Sequence, residues 1–298
     1  MKIDKVVFST TEPFSVFWNL NSQIYRTKLG IEPVCLLFGK KDGTLSEQYG
    51  KIIELDPDPR FPLLPQLMWS KFYYVTGEPD TTYMVGDIDL MPLQTAWYTE
   101  NLKNVPDTEY VHLDADAITQ HSGSRYTWCG RGELHAGNMP AQASHETNVP
   151  GYYHVAKGST FRALRPQPTT FLQEVDHIVN SRLYANTRGW RDSDPIDQAN
   201  LWCAEEKRST EMIRDAIIHQ RIHFTGFSIP HGIHRSTGNR IDRSTLKDEA
   251  TNQQVSDDYA YDAERLKAND YVDLHCARPF QTYLPQTTNV LRLAGMIE

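Results

Sequence analysis

Thr82-Tyr83-Met84-Val85-Gly86-Asp87-Ile88-Asp89-Leu90-Met91-Pro92-Leu93 is an apolar, β-rich run that ends in two acids one residue apart and then a proline. In an extended chain residues i and i+2 face the same way, so the run predicts a strand with Asp87 and Asp89 projecting together at its carboxyl end. In open α/β sheets that end is where ligands sit. Two convergent carboxylates suit a hard divalent ion such as Mg²⁺ or Mn²⁺, which keeps waters and takes further oxygens from a substrate's phosphates.

Upstream, short β-rich runs alternate with amphipathic segments. Val6-Val7-Phe8 leads into Ser9-Thr10-Thr11-Glu12-Pro13, where hydroxyl and acidic cap candidates precede a proline suited to a first helical turn. Val34-Cys35-Leu36-Leu37-Phe38 and Ile52-Ile53-Glu54-Leu55 are two further strands. Leu64, Leu67, Met68 and Phe72 are spaced as one face of a helix, stopped by Gly77-Glu78-Pro79-Asp80. Strand, helix, strand, helix, strand implies an α/β fold with a mostly parallel or mixed central sheet flanked by helices.

Downstream, Tyr110-Val111-His112-Leu113 runs into a second acid pair, Asp114 and Asp116, so Asp-x-Asp alone does not choose between them. The first pair follows three β-rich units; the second introduces a Gly-, Ser-, Asn- and Pro-rich stretch, residues 123–151, that reads as a long loop. Order returns with a strand at Gly151-Tyr152-Tyr153-His154-Val155-Ala156. Helices follow, with the stripe Phe171, Leu172, Val175, Ile178, Val179 and Leu183, and over residues 199–220. A short strand, residues 222–227, comes next.

Of 298 residues, 39% are hydrophobic and 23% charged, the balance of a folded chain with a sizeable core. The formal net charge of −8 and the lack of a basic patch argue against a nucleic-acid partner. No apolar run approaches the roughly 18 residues of a membrane span, and the first residues lack a signal core, so the expectation is a soluble, cytoplasmic protein. Cys35, Cys129, Cys203 and Cys276 are scattered without a Cys-x-x-Cys pair, which favours reduced thiols.

The stretch Val85 to Leu93 resembles the apolar-Asp-x-Asp-apolar-x-Pro-apolar element of GT-A glycosyltransferases, whose strand-ending acids bind the metal of a nucleotide-sugar donor. Gly151 to Phe161 is similar to the acceptor-side strand and turn of such enzymes. Asp197-Gln198-Ala199-Asn200-Leu201 resembles the Asp-Gln segment that opens a helix in retaining members, and Pro230-His231-Gly232-Ile233-His234-Arg235 resembles their histidine-bearing loop.

The resemblance implies a metal held by Asp87, Asp89 and a histidine. His231 is the first choice, followed as it is by Arg235, Arg240 and Arg243, whose guanidinium groups suit a diphosphate. His223 and His234 stand behind it. His223-Phe224-Thr225-Gly226 is similar to a glycogenin-like element, but Ile229 and His231 stand where lysine and tryptophan are expected. Ser9, Thr10 and Thr11 are placed for a base and ribose, or equally as helix caps. Lys71 and Asp87 are placed to contact the donor. Asp197, with Asp194 nearby, is read at the sugar, ordering hydroxyls or stabilising an oxocarbenium-like state; helix-dipole capping is the alternative. Tyr271 to Pro279 reads as a terminal strand docked on the core, or as an element folded back over the site.

The implied architecture is a single GT-A domain over residues 1–298, with a Rossmann-like nucleotide-binding lobe over 1–93 and an acceptor-binding lobe over 94–298. The implied reaction transfers a sugar from a nucleoside diphosphate, with uridine favoured, to a hydroxyl of a sugar or glycan acceptor, with Mn²⁺ or Mg²⁺ as cofactor; Asp-Gln tilts it towards retention. The rivals are a sugar nucleotidyltransferase, against which the glycine-free Ser9–Pro13 counts, and a non-catalytic glycan- or nucleotide-binding module.

Overall fold

The computed structural model describes residues 1–113, 151–180, 204–225, 233, 235, 237–248 and 253–298. Its strands are β1 (Lys5–Thr11), β2 (Glu32–Phe38), β3 (Lys51–Leu55), β4 (Thr82–Val85), β5 (Leu90–Pro92), β6 (Glu109–His112), β7 (His154–Lys157), β8 (His223–Thr225), β9 (Arg240–Ile241) and β10 (Asp273–His275). The α-helices are α1 (Trp18–Ile24), α2 (Leu63–Tyr74), α3 (Ala96–Thr99), α4 (Gly158–Ala163), α5 (Phe171–Asn180), α6 (Ala204–Ile218), α7 (Ala263–Lys267) and α8 (Phe280–Leu293). None is long and apolar enough to cross a membrane among the described residues.

Seven strands form one sheet in the order β3-β2-β1-β4-β7-β6-β8. All run the same way except β7, which is antiparallel to both neighbours. This is the α/β, mostly parallel architecture that the alternating segments imply.

Strand periodicity sorts the side chains onto two faces. Val6, Phe8, Cys35, Leu37, Met84, Val111 and Val155 enter one buried cluster, and Val7, Val34, Leu36, Tyr83, Val85, Tyr110 and Ala156 the other. A sheet apolar on both faces is what parallel strands under helices require. Cys35 and Cys276 are buried free thiols.

Two local expectations are corrected. The helix face read from Leu64, Leu67 and Met68 is only half-buried, whereas Pro65, Gln66, Trp69, Ser70, Lys71 and Phe72 are buried. Helix α2 is covered on more than one side: it packs on β1, and the Arg165 guanidinium lies over the Trp69 and Tyr73 rings. The helix expected after Pro13 begins as a 3₁₀ turn, Glu12–Phe17, before α1, and Thr11 at its start makes no side-chain cap. The Thr11 hydroxyl therefore does not cap this turn.

A second, smaller sheet has the order β5-β10-β9. Strand β10 is antiparallel to β5, pairing His275 with Leu90, and parallel to β9, pairing Asp273 with Arg240. The tail from Tyr271 thus docks as a strand directly after the acid pair.

Candidate active site

The site begins where β4 stops. Gly86 N–H donates to Val7 O at 3.0 Å, the last rung towards β1. A Cβ on Gly86 would lie 2.7 Å from Cε1 of Phe8, so only glycine lets the strand end pass over that ring. The chain then turns, with Leu90 N–H bonded to Asp87 O at 3.1 Å. Buried Asn21 of α1 donates to Ile88 O at 2.8 Å, and Cys276 N–H donates to Asp89 O at 2.8 Å.

This turn corrects the sequence-based picture of two acids side by side on an extended strand. The backbone is not extended between them, and the two carboxylates take different partners. Asp87 Oδ1 lies 2.5 Å from Nζ of Lys71, whose side chain is 1% exposed on α2; the Asp87 side chain is 30% exposed. A buried ammonium with a counter-charge this close is neutralised in place.

Asp89 is buried, and its Oδ2 gathers three cationic or potentially cationic groups. Arg243 Nη1 is at 3.0 Å, Arg278 Nη2 is in contact, and His275 Nε2 is at 3.5 Å. Burial pushes the Asp89 carboxyl up, but Arg278, His275 and Arg243 outweigh it and hold the group well below the usual carboxylate range. Arg243 and Arg278 are 154 and 189 residues away in sequence and arrive through the register of the small sheet.

Behind this pair lies a second acid. Asp242 Oδ2 is 3.2 Å from His275 Nδ1, its Oδ1 accepts from Ser244 N–H at 2.9 Å, and Arg240 Nε is 3.2 Å from Oδ2. Deeper still, Asp273 is fully buried, bonded by Arg235 Nε at 3.0 and 3.1 Å and by the Tyr153 hydroxyl at 2.7 Å. Tyr153 holds φ of 60°, a strained value for a tyrosine, and its N–H donates to Val85 O at 2.6 Å. Tyr153 therefore ties the end of β4 to β10 through both backbone and side chain.

Among the expected residues, Lys71, Asp87 and Asp89 are brought to this edge. Ser9, Thr10 and Thr11 end β1, which neighbours β4 and continues beyond the Val7–Val85 pairing. His223 is not there. It pairs with Glu109 at the start of edge strand β8, whereas the Asp87 end of the sheet is marked by His112, His154 and Val85. Arg235, read as a diphosphate ligand, is buried on Asp273. His231, His234, Asp114, Asp116, Asp194, Asp197 and the 123–150 loop lie outside the described residues.

Sequence reasoning missed Asp242, and reached His275 and Arg278 only as parts of the tail element Tyr271–Pro279, without a role for either. The available signal was the run Tyr271-Val272-Asp273-Leu274-His275, an alternating strand ending in a polar residue and followed by Arg278-Pro279.

Whether these residues suit a divalent ion turns on donor chemistry. No set of three His, Cys, Asp or Glu is gathered for a metal among the described residues. What exists is a carboxylate oxygen and an imidazole nitrogen facing each other at 3.5 Å. Mn²⁺ accepts both donor types, and ions of this class commonly take one or two carboxylates and complete their shell with water and phosphate oxygens. The donor types suit such an ion, and the same Asp89 oxygen is also engaged by Arg243 and Arg278.

No family profile and no curated protein matches the chain. Among solved structures it is similar to the galactosyltransferase LgtC in complex with donor and acceptor sugar analogs, at 10% identity over 98% of this chain and 96% of that one, with a TM-score of 0.45. An active-site mutant of LgtC gives 12% identity, 98% and 95% coverage and a TM-score of 0.46. The bifunctional glycosyltransferase WbbM gives 10% identity over 93% of this chain and 46% of that one, with a TM-score of 0.38. A putative glucose-1-phosphate thymidylyltransferase from Bacillus anthracis, in complex with a sucrose, gives 10% identity, 76% and 87% coverage and a TM-score of 0.31. At these TM-scores the likenesses carry no argument about chemistry, which rests on the residues above.

Proposed function

We propose that this chain is a GT-A glycosyltransferase that moves a sugar from a nucleoside diphosphate sugar, with uridine as its nucleoside, to a hydroxyl of a sugar or glycan acceptor. The observation that carries the reading is the setting of Asp89. An acid at the carboxyl end of a parallel strand meets an imidazole and two guanidinium groups, next to the hydroxyl-lined end of β1.

In this reading Ser9, Thr10 and Thr11 offer hydroxyls and backbone groups to the base and ribose. Arg243 and Arg278 grip the diphosphate oxygens, for which a guanidinium fork is well matched. Lys71 holds Asp87 in place beside them. Asp89 and His275, rather than His231, are the proposed donors to Mn²⁺ or Mg²⁺, with Asp87 close by. The ion, when bound, supplies Lewis-acid charge that eases departure of the diphosphate. Asp197 is proposed to act at the sugar, and Asp197-Gln198 supports retention of configuration.

A saturating nucleoside diphosphate tests this first. At about 100 times its dissociation constant it should stabilise the fold by roughly 2.7 kcal/mol with Mn²⁺ present and far less in EDTA. Equal stabilisation in EDTA removes the metal from the reading. Release of free sugar from a UDP-sugar without acceptor separates the transferase from an idle binding module, and release of pyrophosphate from a sugar phosphate and a nucleoside triphosphate would point to the nucleotidyltransferase. Anomeric coupling in proton NMR of the product decides retention.

A further inference from the structure

We infer that Phe14 is a positioning residue for the donor's diphosphate: its ring backs the guanidinium of Arg278 and holds that group between the end of β1 and Asp89, where phosphate oxygens would meet it. The inference rests on the reading of Arg278 as a diphosphate ligand. It goes beyond that reading by assigning a role to an apolar side chain in the turn that follows β1.

Phe14 and Phe17 stand three residues apart in the 3₁₀ turn Glu12–Phe17, a spacing that puts both side chains on one face. Both rings meet the tail, on either side of Pro279. The Phe17 ring is buried and packs on that of Phe280 with centroids 4.4 Å apart, and α8 lies against the turn. Phe14 is only half-buried, and the Arg278 guanidinium lies over its ring, 4.8 Å from the centroid. The inner pair is core packing. The outer pair joins a ring to the charge that reaches Asp89.

The backbone around Arg278 is already anchored. Cys276 N–H donates to Asp89 O at 2.8 Å, Ala277 N–H to the Tyr259 hydroxyl at 2.9 Å, and Lys247 Nζ to Arg278 O at 3.1 Å. The side chain that leaves this stretch is long and 36% exposed, so a ligand can reach it and its rotamers are what remains to be ordered. A guanidinium stacks through its face and hydrogen-bonds through its edge. Phe14 therefore steers Arg278 without competing for the N–H groups that Asp89 and a phosphate would use. Ordering the side chain beforehand leaves less entropy to be lost when the diphosphate arrives.

The test measures UDP affinity by calorimetry on the full chain at one fixed Mn²⁺ concentration. Phe14→Leu, which removes the ring and keeps an apolar side chain, should weaken UDP binding about 2- to 5-fold, the scale of an accessible cation–π contact. Phe14→Tyr, which keeps the ring, should bind UDP as wild type does. In an Arg278→Ala background, itself weakened for UDP, Phe14→Leu should cause no further loss, because a residue that acts only through Arg278 has nothing left to act on. A purely structural role would lower the melting temperature of Phe14→Leu and leave UDP affinity unmoved. Equal affinity in wild type and Phe14→Leu, with Arg278→Ala still weakened, overturns the inference and leaves the reading of Arg278 standing. The same loss from Phe14→Leu in both backgrounds overturns it in the same way. If Arg278→Ala binds UDP like wild type, or wild type takes up no UDP, the reading of Arg278 fails and takes the inference with it.

Discussion

Asp87 and Asp89 are separated by one residue, yet they stand in opposite electrostatic situations. Asp87 is the more exposed of the two, and its partner Lys71 is the buried member of that pair. Asp89 is the buried member of its own cluster, and its partners come from the far end of the sequence. In the first pair the acid serves the cation; in the second the cations serve the acid. Identical residues in one short motif thus divide between neutralising a buried cation and drawing cations to a buried acid.

The division can be broken most sharply at Asp89. Asp89→Asn keeps the shape and removes the charge, so transfer should fall to background while circular dichroism still reports a folded chain. Full retention of turnover would mean that the chemistry lies elsewhere. Asp87→Asn should act on stability, because it strands the Lys71 ammonium in the core: a loss of about 3 kcal/mol is expected in urea unfolding. Lys71→Met added to Asp87→Asn should recover most of that loss. If the double variant is no more stable than the single one, the loss does not come from an uncompensated Lys71 ammonium.

Acid sharpens the same contrast. Burial pushes the carboxyls of Asp89, Asp242 and Asp273 up, but their arginine and histidine neighbours win and hold all three below the usual value of 3.8. The unfolded chain therefore takes up protons first as pH falls. Their contribution is complete at neutral pH and is lost from about pH 4 downwards, towards the lower native values. Melting temperature should fall steeply there, and less steeply in Asp89→Asn. The smallest effect is expected at the exposed pair Lys5–Glu78, 2.9 Å apart. Glu78→Gln should cost less than about 1 kcal/mol and vanish in high salt.

How far the sequence discloses this arrangement follows the length of its elements. Strands β1 to β4 and helix α2 are visible because each carries enough residues for a local pattern. The face of α2 is misread because Trp69 and Lys71 are covered by different neighbours, and a single stripe cannot describe a helix packed on several sides. The second sheet is nearly invisible for another reason. Strands β5, β9 and β10 hold three, two and three residues, too few for any period to declare itself. Their register, and with it His275, is decided by Tyr153, Asp273 and Arg235 acting across the fold. Arginines close in sequence drew attention to His231, while the arginine that reaches Asp89 from the tail, Arg278, lies three residues after His275.

The clasp of β10 on β5 also dictates when the site comes into being during synthesis. Asp89 leaves the ribosome 189 residues ahead of Arg278. At translation rates of about 5 to 20 residues per second, that interval lasts roughly 10 to 40 s. For that time the nascent chain carries the acid without Arg278, and for most of it without Arg243 as well, while the first four strands are free to pair. Rare codons placed between the two positions should lengthen the window in which the half-made protein is open to proteases and chaperones, without altering the finished molecule.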